Sequence, residues 1–247
     1  MKKTKLIKNF FRHYRTSSKA NLILSNELQE ILFGLMLGDI HAERRNTNGN
    51  TRIQFKQSIK NIAYIQHLFS LFKDYSGAEP KISSSFDSRA NKNKVYSAVR
   101  FWTYSLACFN LFRELFYDSS GLKIIPENIG QLLTARGLAY WIMDDGYNSV
   151  HGFYLCTESF SFNEIEKLKA VLENKFELKC GIHKHTNGHR LYIFASSKDL
   201  LLELVKPYLI PHFYYKFKIL KTLNKIKINI INPFIKCKIK IKYINLT

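Results

Sequence analysis

Acidic residues are scarce in this sequence: 19 Asp and Glu stand against 38 Lys and Arg, a formal net charge of +19 in 247 residues. The shortage is concentrated at the ends. No acid precedes Glu27, where Lys2, Lys3, Lys5, Lys8, Arg12, Arg15 and Lys19 crowd together, and none follows Phe217. A surface so poor in negative charge attracts polyanions, because neutralised phosphates release their counterions and binding becomes strong and salt-sensitive. An AT-rich coding sequence also enriches Lys, Asn, Ile, Phe and Tyr, so charge alone leaves the partner open. Cysteine is scarce too. Its 4 residues, Cys108, Cys156, Cys180 and Cys237, are scattered with no CxxC spacing, which excludes a disulfide framework and fits a reducing compartment. No apolar run approaches the roughly 20 residues of a bilayer-spanning helix, so a transmembrane protein is not expected.

What is present is an internal repeat, the feature to seek first in a chain long enough for two compact halves. Leu32–Ile40 (LFGLMLGDI) and Leu138–Gly146 (LAYWIMDDG) are apolar, helix-length segments closing on Asp39 and Asp145, roughly half a chain apart. Each is followed by a hairpin-like stretch leading to FKQS (Phe55–Ser58) or CTES (Cys156–Ser159). An amphipathic helix then follows, near Ile62–Tyr75 and near Asn163–Phe176. Asn48-Gly49 and Asn187-Gly188 are dipeptides suited to two-residue turns. Ile53 and Phe55 alternate with Arg52, Gln54 and Lys56, and Leu191 and Ile193 with Arg190 and Tyr192, which predicts strands with one greasy and one polar face. Further strands are predicted at Lys81–Phe86 and Val95–Tyr104. The fold expected is α+β: two pseudo-symmetric αββαββα halves with antiparallel sheets. The segments are a basic N-terminal extension (1–24), a first half (25–130), a second half (131–217) and a basic Lys/Ile/Asn-rich tail (218–247). The extension suits either a mitochondrial presequence or an arm lying on nucleic acid.

Two apolar helices that each end in aspartate call for a chemical reason. A helix C-terminus carries partial negative charge, and two carboxylates brought together resist joint ionisation. A bound divalent cation reverses that balance, and carboxylate and main-chain carbonyl oxygens suit Mg²⁺. Two such acids beneath a basic surface make a phosphodiester-cleaving site.

These two segments resemble the paired signature helices of the LAGLIDADG homing endonucleases, of the single-chain, pseudo-symmetric kind. Gly34, Gly38 and Asp39 fall on the third, seventh and eighth signature positions, and Ala139, Asp145 and Gly146 on the second, eighth and ninth. The segments KIIPEN and KPYLIPHFYYK extend the resemblance, similar to the mitochondrial omega-intron type, over roughly residues 25–217. Ile40, Tyr140 and Asp144 depart from the signature. The resemblance implies signature helices paired at the centre of a DNA-binding saddle, with Asp39 and Asp145 over the scissile phosphates. Gly34 and Gly38 would allow close approach, and the carbonyls of Gly38 and Asp144 would reach metal. It further implies that Lys123 and Lys216 lie near the reaction centre and that Gln57 orders active-site water, with Glu158 as its counterpart in the other half.

Strand side chains laid in a major groove read base edges. The candidates are Arg44, Arg45, Arg52, Gln54, Lys56, Arg100, His183, Lys184, His185 and Arg190. His183, His185 and His189 also invite a zinc reading, which lacks a fourth ligand nearby. The activity expected is Mg²⁺-dependent, site-specific cleavage of double-stranded DNA in intron homing, with Mn²⁺ able to substitute, by a monomer that leaves 3′ overhangs. The alternative is an intron maturase that binds intron RNA. The resemblance places the protein in the mitochondrion, with the chloroplast as the alternative.

Overall fold

The computed structural model describes residues 21–87 and 94–218. The N-terminal arm up to residue 20 and the tail from residue 219, Cys237 included, lie outside the described residues. The chain divides into a unit ending at Tyr208 and a second beginning at Leu209.

In chain order the first unit runs α1 (Asn26–Leu37), β1 (His41–Glu43), β2 (Arg52–Ser58), α2 (Ile62–Phe72), β3 (Lys81–Asp87), β4 (Lys94–Trp102) and α3 (Asn110–Phe116). A short α4 (Ile129–Leu132) leads to α5 (Ala135–Asp145), β5 (Gly146–Asn148), β6 (Gly152–Leu155), α6 (Phe162–Phe176), β7 (Cys180–His185), β8 (Gly188–Phe194) and α7 (Lys198–Val205). The αββαββα order thus appears twice. Among the described residues all strand pairs are antiparallel, in two four-stranded sheets ordered β1-β2-β4-β3 and β5-β6-β8-β7.

The two central helices start on side-chain caps. Ser25 accepts from Leu28 N and Thr134 from Gly137 N, each satisfying an orphan donor of the first turn. From Ile31 to Leu37 and from Gly137 to Met143 every residue is buried, as befits helices enclosed on all sides. They pack directly on each other. A Cβ at Gly34 would overlap the Gly137 carbonyl oxygen, and one at Gly137 would lie 2.9 Å from Glu30 O. Backbone meets backbone there, so the close approach expected of Gly34 depends on a second glycine that the signature alignment did not single out.

Each sheet turns one face inward. Ile53 and Phe55, then Leu191 and Ile193, are fully buried. Helix α2 covers β2 and β4, and α6 covers β7 and β8. The Phe55 and Phe101 rings stack across the strands at 4.5 Å.

Three local expectations need correction. Asn48-Gly49 does not make a two-residue turn: β1 and β2 are joined by residues 44–51, and Gly49 is not among the positive-φ glycines. In the β7–β8 hairpin His185 faces Gly188, so the turn residues are Thr186 and Asn187. Gly188, at φ 143°, opens the next strand, a slip of one residue from the expected pair. Finally, α1 stops before its aspartate. Gly38 leaves helical geometry (φ −104°, ψ −136°) while its N–H still bonds Leu35 O, so Asp39 sits beyond the helix whereas Asp145 closes α5.

Candidate functional site

The site is built where the central helices end. Gly38 and Asp144 occupy corresponding positions of the repeat, and they meet: a Cβ at Gly38 would collide with the Asp144 side chain. The missing side chain on one helix makes room for the carboxyl on the other. Asp144 Oδ2 accepts the Asp39 N–H at 3.1 Å, and the buried Tyr64 hydroxyl lies against the same carboxyl. Burial first, then the charges of Asp39 and Asp145, hold Asp144 well above the usual carboxylate range. The expectation for Asp144 concerned its main-chain carbonyl. Its side chain is equally part of the site, as a clasp between the two halves.

Gln57 occupies the last inward-facing position of β2, after Ile53 and Phe55. There it clears the core and donates to Asp39 Oδ2 at 2.7 Å and to Asp144 Oδ1 at 3.3 Å. Asn61, just before α2, donates to Gln57 Oε1 at 3.0 Å, which fixes the amide with its NH₂ toward the acids. The counterpart Glu158 is engaged differently. It accepts from Arg190 and stands 3.5 Å from His185, so the two halves are unequal at this position.

Lys123 comes from the linker between the halves. Its ammonium donates to Gly38 O at 2.7 Å and Ile40 O at 3.2 Å. Burial pushes its pKa down to about 8, against the raising influence of Asp145, Asp144 and Asp39 in that order. Lys123 therefore lies within electrostatic reach of all three acids. Lys216 belongs to the second unit, in a 3₁₀ helix at Pro211–Phe217, where it is buried with its ammonium 4.9 Å from the Phe213 ring.

The donors gathered here are oxygens: carboxylates of Asp39, Asp144 and Asp145, and main-chain carbonyls. Among the described residues no group of three or more His, Cys, Asp or Glu converges on one metal position. Oxygen donors of this kind suit a hard divalent cation. The three histidines of the second sheet do not come together. His183 and His185 share one face of β7, while His189 pairs with Lys184 on the other, and the His183 ring bonds the Tyr154 hydroxyl at 2.9 Å.

The outward faces of the sheets carry most of the expected base-reading residues. Arg52, Gln54 and Lys56 alternate outward on β2. Register sets Lys56 beside Arg100, and Arg100 beside Lys81. Arg52 lies 3.8 Å over the Trp102 ring and pairs with Glu43. Arg44 is drawn to Glu114 at 2.9 Å, and Arg45 is exposed in the β1–β2 connection. On the second sheet His183, His185 and Arg190 share a face, while alternation puts Lys184 on the opposite one. The sequence reading missed Tyr64, Asn61, Lys81 and the tyrosines Tyr147, Tyr154 and Tyr192. Lys81 and Tyr192 carried a usable signal, as outward residues of predicted strands.

Comparison with known proteins gives the same direction. Residues 29–201 match the LAGLIDADG DNA endonuclease family. The cytochrome b mRNA maturase bI2 of Debaryomyces hansenii is 31% identical over 198 residues, spanning 79% of this chain and 75% of that protein. The probable intron-encoded endonuclease 1 of Wickerhamomyces canadensis is 31% identical over 220 residues, 86% of this chain and 90% of its own. Among solved structures, the homing endonuclease I-WcaI bound to its DNA recognition sequence aligns with a TM-score of 0.76 at 28% identity, over 84% of this chain and 91% of that one. With paired glycine-contacting helices, acids at their base and two antiparallel sheets, the chain belongs to the LAGLIDADG family of DNA endonucleases.

Proposed function

We propose that this protein is a site-specific homing endonuclease that hydrolyses one phosphodiester in each strand of a long, asymmetric double-stranded DNA target and leaves 3′ overhangs. The observation that carries the reading is the contact of Asp39 with Asp144, the residue before Asp145, at the base of two helices from corresponding halves, with the Lys123 ammonium on the carbonyls of Gly38 and Ile40. Asp39 and Asp145, with the carbonyls of Gly38 and Asp144, would hold Mg²⁺, or Mn²⁺ in its place; such an ion supplies charge neutralisation at the scissile phosphate. The Gly38 carbonyl already accepts from Lys123, and its second lone pair suffices for a second partner. Lys123 then stabilises negative charge developing on phosphate oxygens, and Gln57 orients the Asp39 carboxylate and nearby water. Outward residues of both sheets bind the duplex.

A second reading, an RNA-binding intron maturase with or without DNA cleavage, is favoured by the likeness to the bI2 maturase and by the +19 charge, which suits RNA as well as DNA. The intron-encoded relative, and the maturase of cytochrome b mRNA, favour a mitochondrial location over a chloroplast one. The repeat within one chain favours action as a monomer.

The test uses supercoiled plasmids carrying a library of intron-insertion-like sites, incubated in Mg²⁺ with wild type, Asp39→Asn and Asp145→Asn. Linearisation at one site by wild type alone supports the endonuclease. Equal cutting by all three proteins rejects the acid assignment. Absence of cutting together with tight binding of intron RNA selects the maturase.

A further inference from the structure

We infer that the two sheets read chemically different half-sites: the first a guanine-bearing segment through cationic donors, the second a thymine-rich segment through a tyrosine surface. The inference rests on the DNA-recognition reading above and deepens it.

On the first sheet, register places Lys56, Arg100 and Lys81 side by side across β2, β4 and β3. All three are exposed, and none makes an ion pair among the described residues. With strands about 4.8 Å apart, this is a row of donors roughly 10 Å wide. Lys and Arg reach the O6 and N7 acceptors that guanine presents in the major groove, the commonest specific contact to DNA.

The corresponding face of the second sheet is built from rings. Tyr147 and Tyr154 stack at 5.1 Å with 13° between planes, Tyr154 and Tyr192 follow at 4.7 Å, and His183 stacks on Tyr192 at 4.4 Å. All four strands contribute: register pairs Tyr147 with Tyr154, Tyr154 with Tyr192, and Tyr192 with Gly181, two residues before His183. A Cβ at Gly152 would strike the Tyr192 ring, so a glycine is what seats that ring against the sheet. The cation on this face is already spent locally: Arg190 pairs with Glu158 and donates to the Tyr147 hydroxyl at 2.9 Å. Ring surfaces offer little to guanine O6 and N7. They suit the C5-methyl group, which among the bases only thymine carries.

The experiment partitions randomised duplexes on the full-length protein in metal-free buffer, so that binding is read apart from cleavage. The half whose preferences relax in Arg100→Ala is the one under the first sheet. In the enriched duplex, 7-deazaguanine replacing guanine in that half is expected to weaken binding at least about fivefold. Deoxyuridine replacing thymine in the other half removes only methyl groups and is expected to cost about fourfold per contacted base. Tyr147→Ala, at an exposed position, should blunt the deoxyuridine effect and leave the deazaguanine effect intact. Deoxyuridine that weakens both halves equally, or neither, overturns the inference while leaving DNA recognition standing. An absence of any enriched duplex overturns both.

Discussion

A lysine surrounded by protein keeps its charge only where acceptors and acids replace the lost water. Lys123 has both: two main-chain carbonyls accept its hydrogen bonds, and Asp145, Asp144 and Asp39 oppose the burial that lowers its pKa to about 8. Because its hydrogen bonds end on Gly38 and Ile40, it also fixes the backbone on either side of Asp39. Lys123→Met removes the cation and leaves those carbonyls without their donor. Cleavage is expected to fall about a hundredfold or more, with Kd for the DNA target changing less than about threefold. Single-turnover cleavage and equilibrium binding measured on the same duplex check this, and a loss of binding as large as the loss of rate would reject the role. Gln57 shows how a residue's place in the chain is turned to chemistry. It continues the inward series of Ile53 and Phe55, and only because it lies one step past the core does it meet Asp39 and Asp144 instead of apolar neighbours.

At the scale of elements, the site is only as well placed as the contact between α1 and α5. Gly34 and Gly137 touch through their backbones, so Gly34→Ala cannot be relieved by rotating a side chain and the helices must part. Overpacking of this kind costs about 1–3 kcal/mol, which in a domain of this size lowers Tm by about 2–4 °C per kcal/mol. Cleavage should fall together with stability, and a variant as stable and active as wild type would mean that the helices do not meet there. Helix α6 offers a pH-dependent test. Its capping box joins Ser161 and Glu164, and Glu164 also accepts the Ile125 N–H at 2.8 Å, tying the linker to the helix start. Partial burial raises the Glu164 pKa, but the hydrogen bonds from Ser161 and Ile125 outweigh it, and the net shift is downward from the ordinary 4.5. A depressed folded-state pKa stabilises the protein fully above the unfolded value, and that stability is lost as pH falls through the lowered one. Glu164→Gln should therefore cost about 1 kcal/mol near neutrality and flatten the decline in stability below about pH 4.5. Urea unfolding at neutral and acid pH measures both.

For the whole molecule, the excess of 38 basic over 19 acidic residues predicts affinity that falls steeply with salt. Arg45 is exposed in the connection between β1 and β2 and suits a phosphate contact. Arg45→Ala should reduce the log–log salt slope by about 1 and weaken cognate and random duplexes alike; a loss confined to the cognate duplex would make Arg45 a base reader. The αββαββα repeat could be read from the sequence, because alternation, 3.6-residue periodicity and the repeat are local or internally duplicated signals. The turns were misjudged, since Asn-Gly favours a tight turn but the register of the flanking strands decides where the chain reverses. Asp144 was read for its carbonyl because nothing local reveals that Gly38 vacates space on the opposite helix. Tyr64 and Asn61 looked like ordinary residues of an amphipathic helix and its start. The tyrosine row of the second sheet is assembled from β5, β6 and β8, strands whose pairing no single stretch of sequence records. What the sequence determined by itself was composition, periodicity and the duplicated aspartates. Only the tertiary structure decided which side chains meet across the helix pair and the sheets, because those meetings depend on packing and register between segments up to half a chain apart.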